Sequence, residues 1–182
     1  MHRPPRTEIE RTVQPSLLDR LTDHAPAVPA DPPTTREASA RAFRESVQRD
    51  LEWLLNTRRS IVPVPPGCAE VARSGHEYGL PDTSGLAVAS PTGRDALATM
   101  LRDAIERFEP RLANPRVRLA PDDSAGAGKR GLHLRFVVEA TLLMDPSPEQ
   151  VVFDTVLEVA SGEYDVGAGG SAPPPSSAPA RG

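Results

Sequence analysis

One proline, Pro110, divides this chain into two periodicities, and no other feature limits the possible folds so sharply. Before it, apolar residues return every three or four positions; after it, they alternate with polar ones. The first spacing gathers side chains on one face of a helix, where each residue turns by about 100°. The second places them on one face of a strand. In the stretch RFEPRL, residues 107–112, a glutamate and an arginine flank the proline at this crossover. A residue preceding proline is driven out of helical geometry, so the helix stops at or before Glu109.

Two helices are predicted upstream. Between Ala38 and Thr57, the residues Phe43, Val47, Leu51, Leu54 and Leu55 form one stripe, with Trp53 nearly opposite. Trp53 therefore either tucks beneath the neighbouring proline-rich loop or meets another subunit. The second helix opens at SPTGRDAL, where Thr92 is the expected cap and Asp95 complements the helix dipole. Its apolar face is Leu97, Met100, Leu101, Ala104, Ile105 and Phe108.

Downstream, Val117 and Leu119 begin a short strand, and the alternation from Leu132 to Leu142 predicts a longer one. Val151, Phe153, Leu157 and Val159 mark a third, and Glu163 to Val166 a fourth. Helices first and strands afterwards give an α+β domain, with two main N-terminal helices packed on a small antiparallel sheet formed by the C-terminal half.

The 182 residues suffice for one domain with tails. Many of the 21 prolines cluster around 27–33, at 62–66 and in the last stretch, which reads as a disordered Gly/Ala/Pro tail over 167–182. Residues 1–37 read as an N-terminal motif with a proline-rich linker, and 38–166 as the folded domain. PDDSAGAGKRG, at 121–131, is a loop between strands. A formal charge of −4 gives no support for nucleic-acid binding. No secretory signal or membrane-spanning run is visible, and a lone cysteine, Cys68, permits no internal disulfide; a cytoplasmic protein is expected.

Catalytic chemistry finds little footing. Glu106 and Glu109, three apart at a helix end, have the residue types of a glycosidase pair, but Arg107 and Arg111 beside them favour ionised carboxylates over a protonated general acid. His24, His76 and His133 lack metal-ligand spacing, and GAGKRG lacks the hydroxyl residue that follows lysine in a phosphate loop. No catalytic residue, cofactor or metal is expected.

Four motifs in order carry a resemblance: PSLLDRL at 15–21, SVQRDLEWLLNTRR at 46–59, EYGLPD at 77–82 and FEPRL at 108–112. Together with the strands that follow, they resemble the TssE branch of the gene-25-like (GPW) family of contractile-tail baseplate proteins, over about residues 15–166. SLLDRL favours the type VI secretion branch over phage or phage-derived injection particles. The resemblance implies a structural wedge subunit in a baseplate docked at the inner membrane, touching TssF and TssG, with TssK as a further neighbour, and helping the TssB/TssC sheath to start. Some relatives carry a lysozyme-like label, which keeps a peptidoglycan-cleaving enzyme as the alternative.

Glu109 falls roughly 40° beyond the apolar stripe, so its carboxylate is expected beside the core rather than in it. With Arg111 it makes either a clasp within the domain or a docking point. The resemblance assigns partner binding to Glu109, Pro110, Arg111 and Leu112. For the sheath, an exposed edge near Leu132–Leu142 or Val151–Val159 is expected to accept an added strand.

Overall fold

The computed structural model describes residues 12–22, 26–27, 35–120, 133–145 and 147–169. The loop containing GAGKRG, most of the proline-rich stretch over 23–34, and the tail from 170 lie outside the described residues, as do the expectations placed on them. In order, the elements are α1 (Leu17–Leu21), α2 (Arg36–Asn56), two 3-10 turns (Val71–Arg73 and Gly75–Glu77), α3 (Pro91–Phe108), β1 (Leu112–Leu119), β2 (His133–Leu142), β3 (Glu149–Glu158) and β4 (Glu163–Ala168). The fold is α+β, as the change of period requires.

The stripe of α2 is buried along its length, from Phe43 through Leu55, and Leu97, Leu101, Ala104 and Ile105 of α3 join it. Each such side chain larger than alanine contributes roughly 1.5–3 kcal/mol by leaving water. Thr35 caps α2 by accepting from the Ala38 N–H at 3.2 Å. The cap of α3 is Ser90 rather than Thr92, its Oγ accepting from the Gly93 N–H at 3.0 Å. Proline explains the shift. Pro91 has no N–H to satisfy and a φ already suited to a first turn, so it takes the first helical position and the cap moves to the residue before it.

Between the helices, EYGLPD is tied to the end of α2. Leu80 donates to the Thr57 carbonyl and accepts from the Arg59 N–H, both at 2.8 Å. Gly79 makes this approach possible: its φ is 101°, and a Cβ there would stand 2.3 Å from the Thr57 oxygen. Only glycine fits.

The sheet is an antiparallel meander in the order β1-β2-β3-β4. On one face, Leu134, Phe136, Val138, Ala140 and Leu142 of β2, Val151, Phe153 and Leu157 of β3, and Tyr164 and Val166 of β4 pack into the same core as the helices. The other face carries cross-strand pairs, Arg118 with Glu139 at 2.8 Å and Arg135 with Asp154 at 2.9 Å. This order corrects the expected edges. A meander leaves its first and last strands outermost, so β2 and β3, which the expected edges at Leu132–Leu142 and Val151–Val159 correspond to, form the interior of the sheet, and β1 and β4 are its edges.

β1 also begins five residues earlier than Val117, at Leu112. The register shifts between Ala113 and Arg116, where Asn114 and Pro115 together face the single residue Ala140. Asn114 takes a φ of 52°, a conformation asparagine tolerates better than most residues. This bulge breaks the alternation that marks a strand in sequence.

Candidate partner interface

The RFEPRL joint forms where α3 hands over to β1. The Glu109 N–H closes the last helical turn on Ile105 at 2.9 Å, and the Leu112 N–H turns back to the Glu109 carbonyl at 3.0 Å. With only two residues between helix cap and strand, the Glu109 side chain is drawn beneath Arg111. It is 5% exposed, buried rather than beside the core as its wheel position predicted. The reason is pairing: Oε1 accepts from the Arg111 backbone N–H at 3.2 Å and from Nε at 2.6 Å, and Oε2 accepts from Nη2. A carboxylate held by a bidentate guanidinium fork can leave water.

The fork reaches further. Arg111 Nη2 also donates to Asp50 Oδ2 of α2 at 2.7 Å, and its Cζ lies 5.8 Å from the Phe43 ring centre. Asp50 Oδ1 in turn accepts from Arg49 Nη2 at 2.8 Å, and Arg49 Nη1 meets Asp19 of α1 at 2.9 Å. The chain Glu109, Arg111, Asp50, Arg49, Asp19 thus joins α3, the start of β1, α2 and the N-terminal motif. Its hydrogen bond to Glu109 raises the Arg111 pKa, against the opposing effect of burial and with further help from Asp50. At Asp19, burial acts upward, but the Ser16 hydroxyl and Arg49 hold the carboxyl below its ordinary range. Tyr78, set edge-on to Phe108, is raised by burial and by the negative charges of Asp50 and Glu109.

Of the four residues expected to bind partners, Glu109 and Leu112 are buried, Arg111 is partly covered, and Pro110 is exposed. The structure therefore builds the clasp inside the domain. Glu106, by contrast, is exposed on α3, so the two acids lie in different settings. Both Glu109 oxygens are engaged by Arg111. Sequence reasoning missed Asp50, although a signal was present: it lies three residues after Val47 and four before Leu54, a core-flanking position where a carboxylate calls for a cation.

A second feature concerns the edges. The outer side of β4 is occupied by α2: Asn56 Nδ2 donates to the Tyr164 carbonyl at 2.8 Å, Asn56 Oδ1 accepts from the Tyr164 N–H at 2.9 Å, and Gln48 Nε2 donates to the Val166 carbonyl at 2.6 Å. β1 has no such cover among the described residues. The Ala120 N–H bonds the Arg135 carbonyl at 2.8 Å. Antiparallel alternation then makes Arg118 and Arg116 the bonded partners of β2. Val117 and Leu119 consequently turn their N–H and C=O groups outward.

A family model described as "Baseplate wedge protein gp25" matches residues 41–147. The matched span runs from the first turns of α2 to the turn before β3, and the pairing of β3 and β4 continues the same sheet. The comparison with curated proteins finds no match.

Proposed function

Since the chain belongs to the baseplate wedge protein gp25 family, we propose that it is a structural subunit of a type VI secretion baseplate that docks on TssF and TssG and starts the TssB/TssC sheath. A place in a contractile-tail baseplate follows from the family. The finer reading draws support from SLLDRL at its start and from the open β1 edge, the single observation that carries it most. An edge with outward N–H and C=O groups is a template for an incoming strand, each added backbone bond contributing about 0.5–1.5 kcal/mol net. Repetition around a ring makes so small a contact sufficient.

In this reading the joint at Glu109, Pro110, Arg111 and Leu112 meets the wedge subunits, with TssK as a further neighbour. Glu109 and Leu112 act by fixing the backbone, while Pro110 and the exposed part of Arg111 present the contact. The work is assembly rather than catalysis, carried out at the cytoplasmic side of the inner membrane by residues 38–166. Among the described residues, no helix is long and apolar enough to cross a membrane.

Co-purification with TssF, TssG, TssB and TssC tests the reading. The chain should be recovered with the wedge pair, and Leu119→Pro, which removes one outward N–H and no ladder bond, should retain the wedge while losing the sheath. Recovery of neither partner, or sheath growth from Leu119→Pro, would overturn it.

A further inference from the structure

The N-terminal motif is folded inside out. α1 is five residues long, and its acid turns inward while its leucines turn outward: Leu17 is 69%, Leu18 53% and Leu21 76% exposed. Asp19 instead faces α2, paired with Arg49 and bonded to the Ser16 hydroxyl at 2.6 Å. The segment is nonetheless anchored. Val13 is buried in the core, and its N–H donates to Ser39 Oγ at 3.0 Å. A short helix normally buries its apolar side and wets its charges. Here polar bonds hold the segment in place so that the apolar side is offered to solvent. Trp53, half exposed, stands on α2 beside the same anchor: the Arg49 guanidinium that grips Asp19 lies 4.9 Å from its ring centre.

We propose that Leu17, Leu18, Leu21 and Trp53 form a docking surface, separate from both the Arg111 clasp and the β1 edge, for an apolar groove with an acidic rim on another baseplate subunit. The charges select the occupant. Arg20 sits exposed within the patch and has no ion-pair partner among the described residues, so a complementary groove brings a carboxylate. A second copy of this chain would set Arg20 of each molecule near the other across an isologous contact. A lipid surface is a poorer occupant, because five helical residues are too few to form the long apolar face that such binding uses. Anchors one turn apart on a helix suit a groove between helices.

The inference rests on the assembly reading for its partner, and the test separates the two. A photo-cross-linking residue is placed at Leu18 in one full-length chain and at Leu119 in another, each assembled into native baseplates with sheath present. The Leu18 probe should label one other subunit, on an apolar helical segment with Asp or Glu within a turn. Arg20→Glu should lower incorporation by more than about tenfold, and reversing that acid to arginine should restore it. Leu17→Ser/Leu18→Ser/Leu21→Ser should fold as the parent does, by circular dichroism and thermal melting, and fail to incorporate. Cross-links from Leu119 alone would overturn the docking surface and leave the assembly reading standing; none from either position would overturn both. Labelling only of lipid or of a second copy, or loss of folding in the triple variant, also contradicts the proposal.

Discussion

β4 and β1 both terminate the sheet, yet the chain treats them oppositely. β4 lies under α2, where Asn56 meets both backbone groups of Tyr164 and Gln48 meets the carbonyl of Val166. β1 is held at its beginning, where the Arg111 carbonyl accepts from the Leu143 N–H at 2.8 Å and the Arg111 side chain reaches Asp50, and among the described residues no side chain bonds its outward backbone groups. An uncovered strand edge invites unwanted pairing, and proteins generally hide or disrupt it. Closing one edge with two polar side chains while, among the described residues, leaving the other without such cover gives an incoming strand one place to add. The difference between the edges assigns direction to an otherwise symmetrical meander.

Breaking the pin on β1 should have the largest effect. Glu109→Ala leaves Arg111 without its main partner in a buried setting, and Arg111→Ala strands the buried Glu109 carboxylate and leaves Asp50 with Arg49 alone; each should cost about 3–5 kcal/mol in urea unfolding. Amide exchange should accelerate at Leu112 and Ala113 before it does in β4. A loss under about 1 kcal/mol would show that the clasp does not hold this edge. Opening the closed edge comes next. Asn56→Ala leaves the N–H and C=O of Tyr164 unpaired, a loss of about 1–3 kcal/mol. It should also create a second adhesive edge, seen as concentration-dependent self-association in sedimentation velocity.

A smaller effect sharpens the same contrast from inside. Thr155, fully buried on β3 opposite Val166, has an Oγ1 without a hydrogen-bond partner among the described residues. Thr155→Val keeps the shape and removes the orphan hydroxyl, so stability should stay level or rise by up to about 1 kcal/mol, with β4 protected longer and β1 unchanged. The smallest effect lies outside the sheet. Because the carboxyl of Asp19 is depressed in the folded protein, its pairing with Arg49 contributes fully above the ordinary carboxylate range and fades as pH falls through the depressed value. Acid should loosen α1 by a few tenths of a kcal/mol, visible in Trp53 fluorescence before either edge opens.

Much of this organisation was legible in the residues. The α2 stripe, the face of α3 and the alternation in β2 and β3 are local patterns, and local geometry alone generates them. Pro110 likewise announced where α3 stops. Strand order was not legible, because alternation says which face a residue takes and nothing about which strand lies outermost. The start of β1 was hidden by the Asn114–Pro115 bulge. At the joint, Glu109 was placed too near the surface because its burial depends on Asp50, 59 positions away, sharing Arg111 with it. The inverted polarity of α1 was hidden for the same reason: a five-residue helix shows its leucines in sequence, while the anchor that turns them outward is a contact with α2.

Amide hydrogen exchange during sheath assembly tests the open edge most directly. In the free protein the N–H groups of Val117 and Leu119 should exchange quickly, while that of Tyr164, held by Asn56, exchanges slowly. On a wedge to which sheath subunits have been added, Val117 and Leu119 should become protected together and Tyr164 should stay as it was. Protection gained along β4, with Val117 and Leu119 still exchanging freely, would contradict the account.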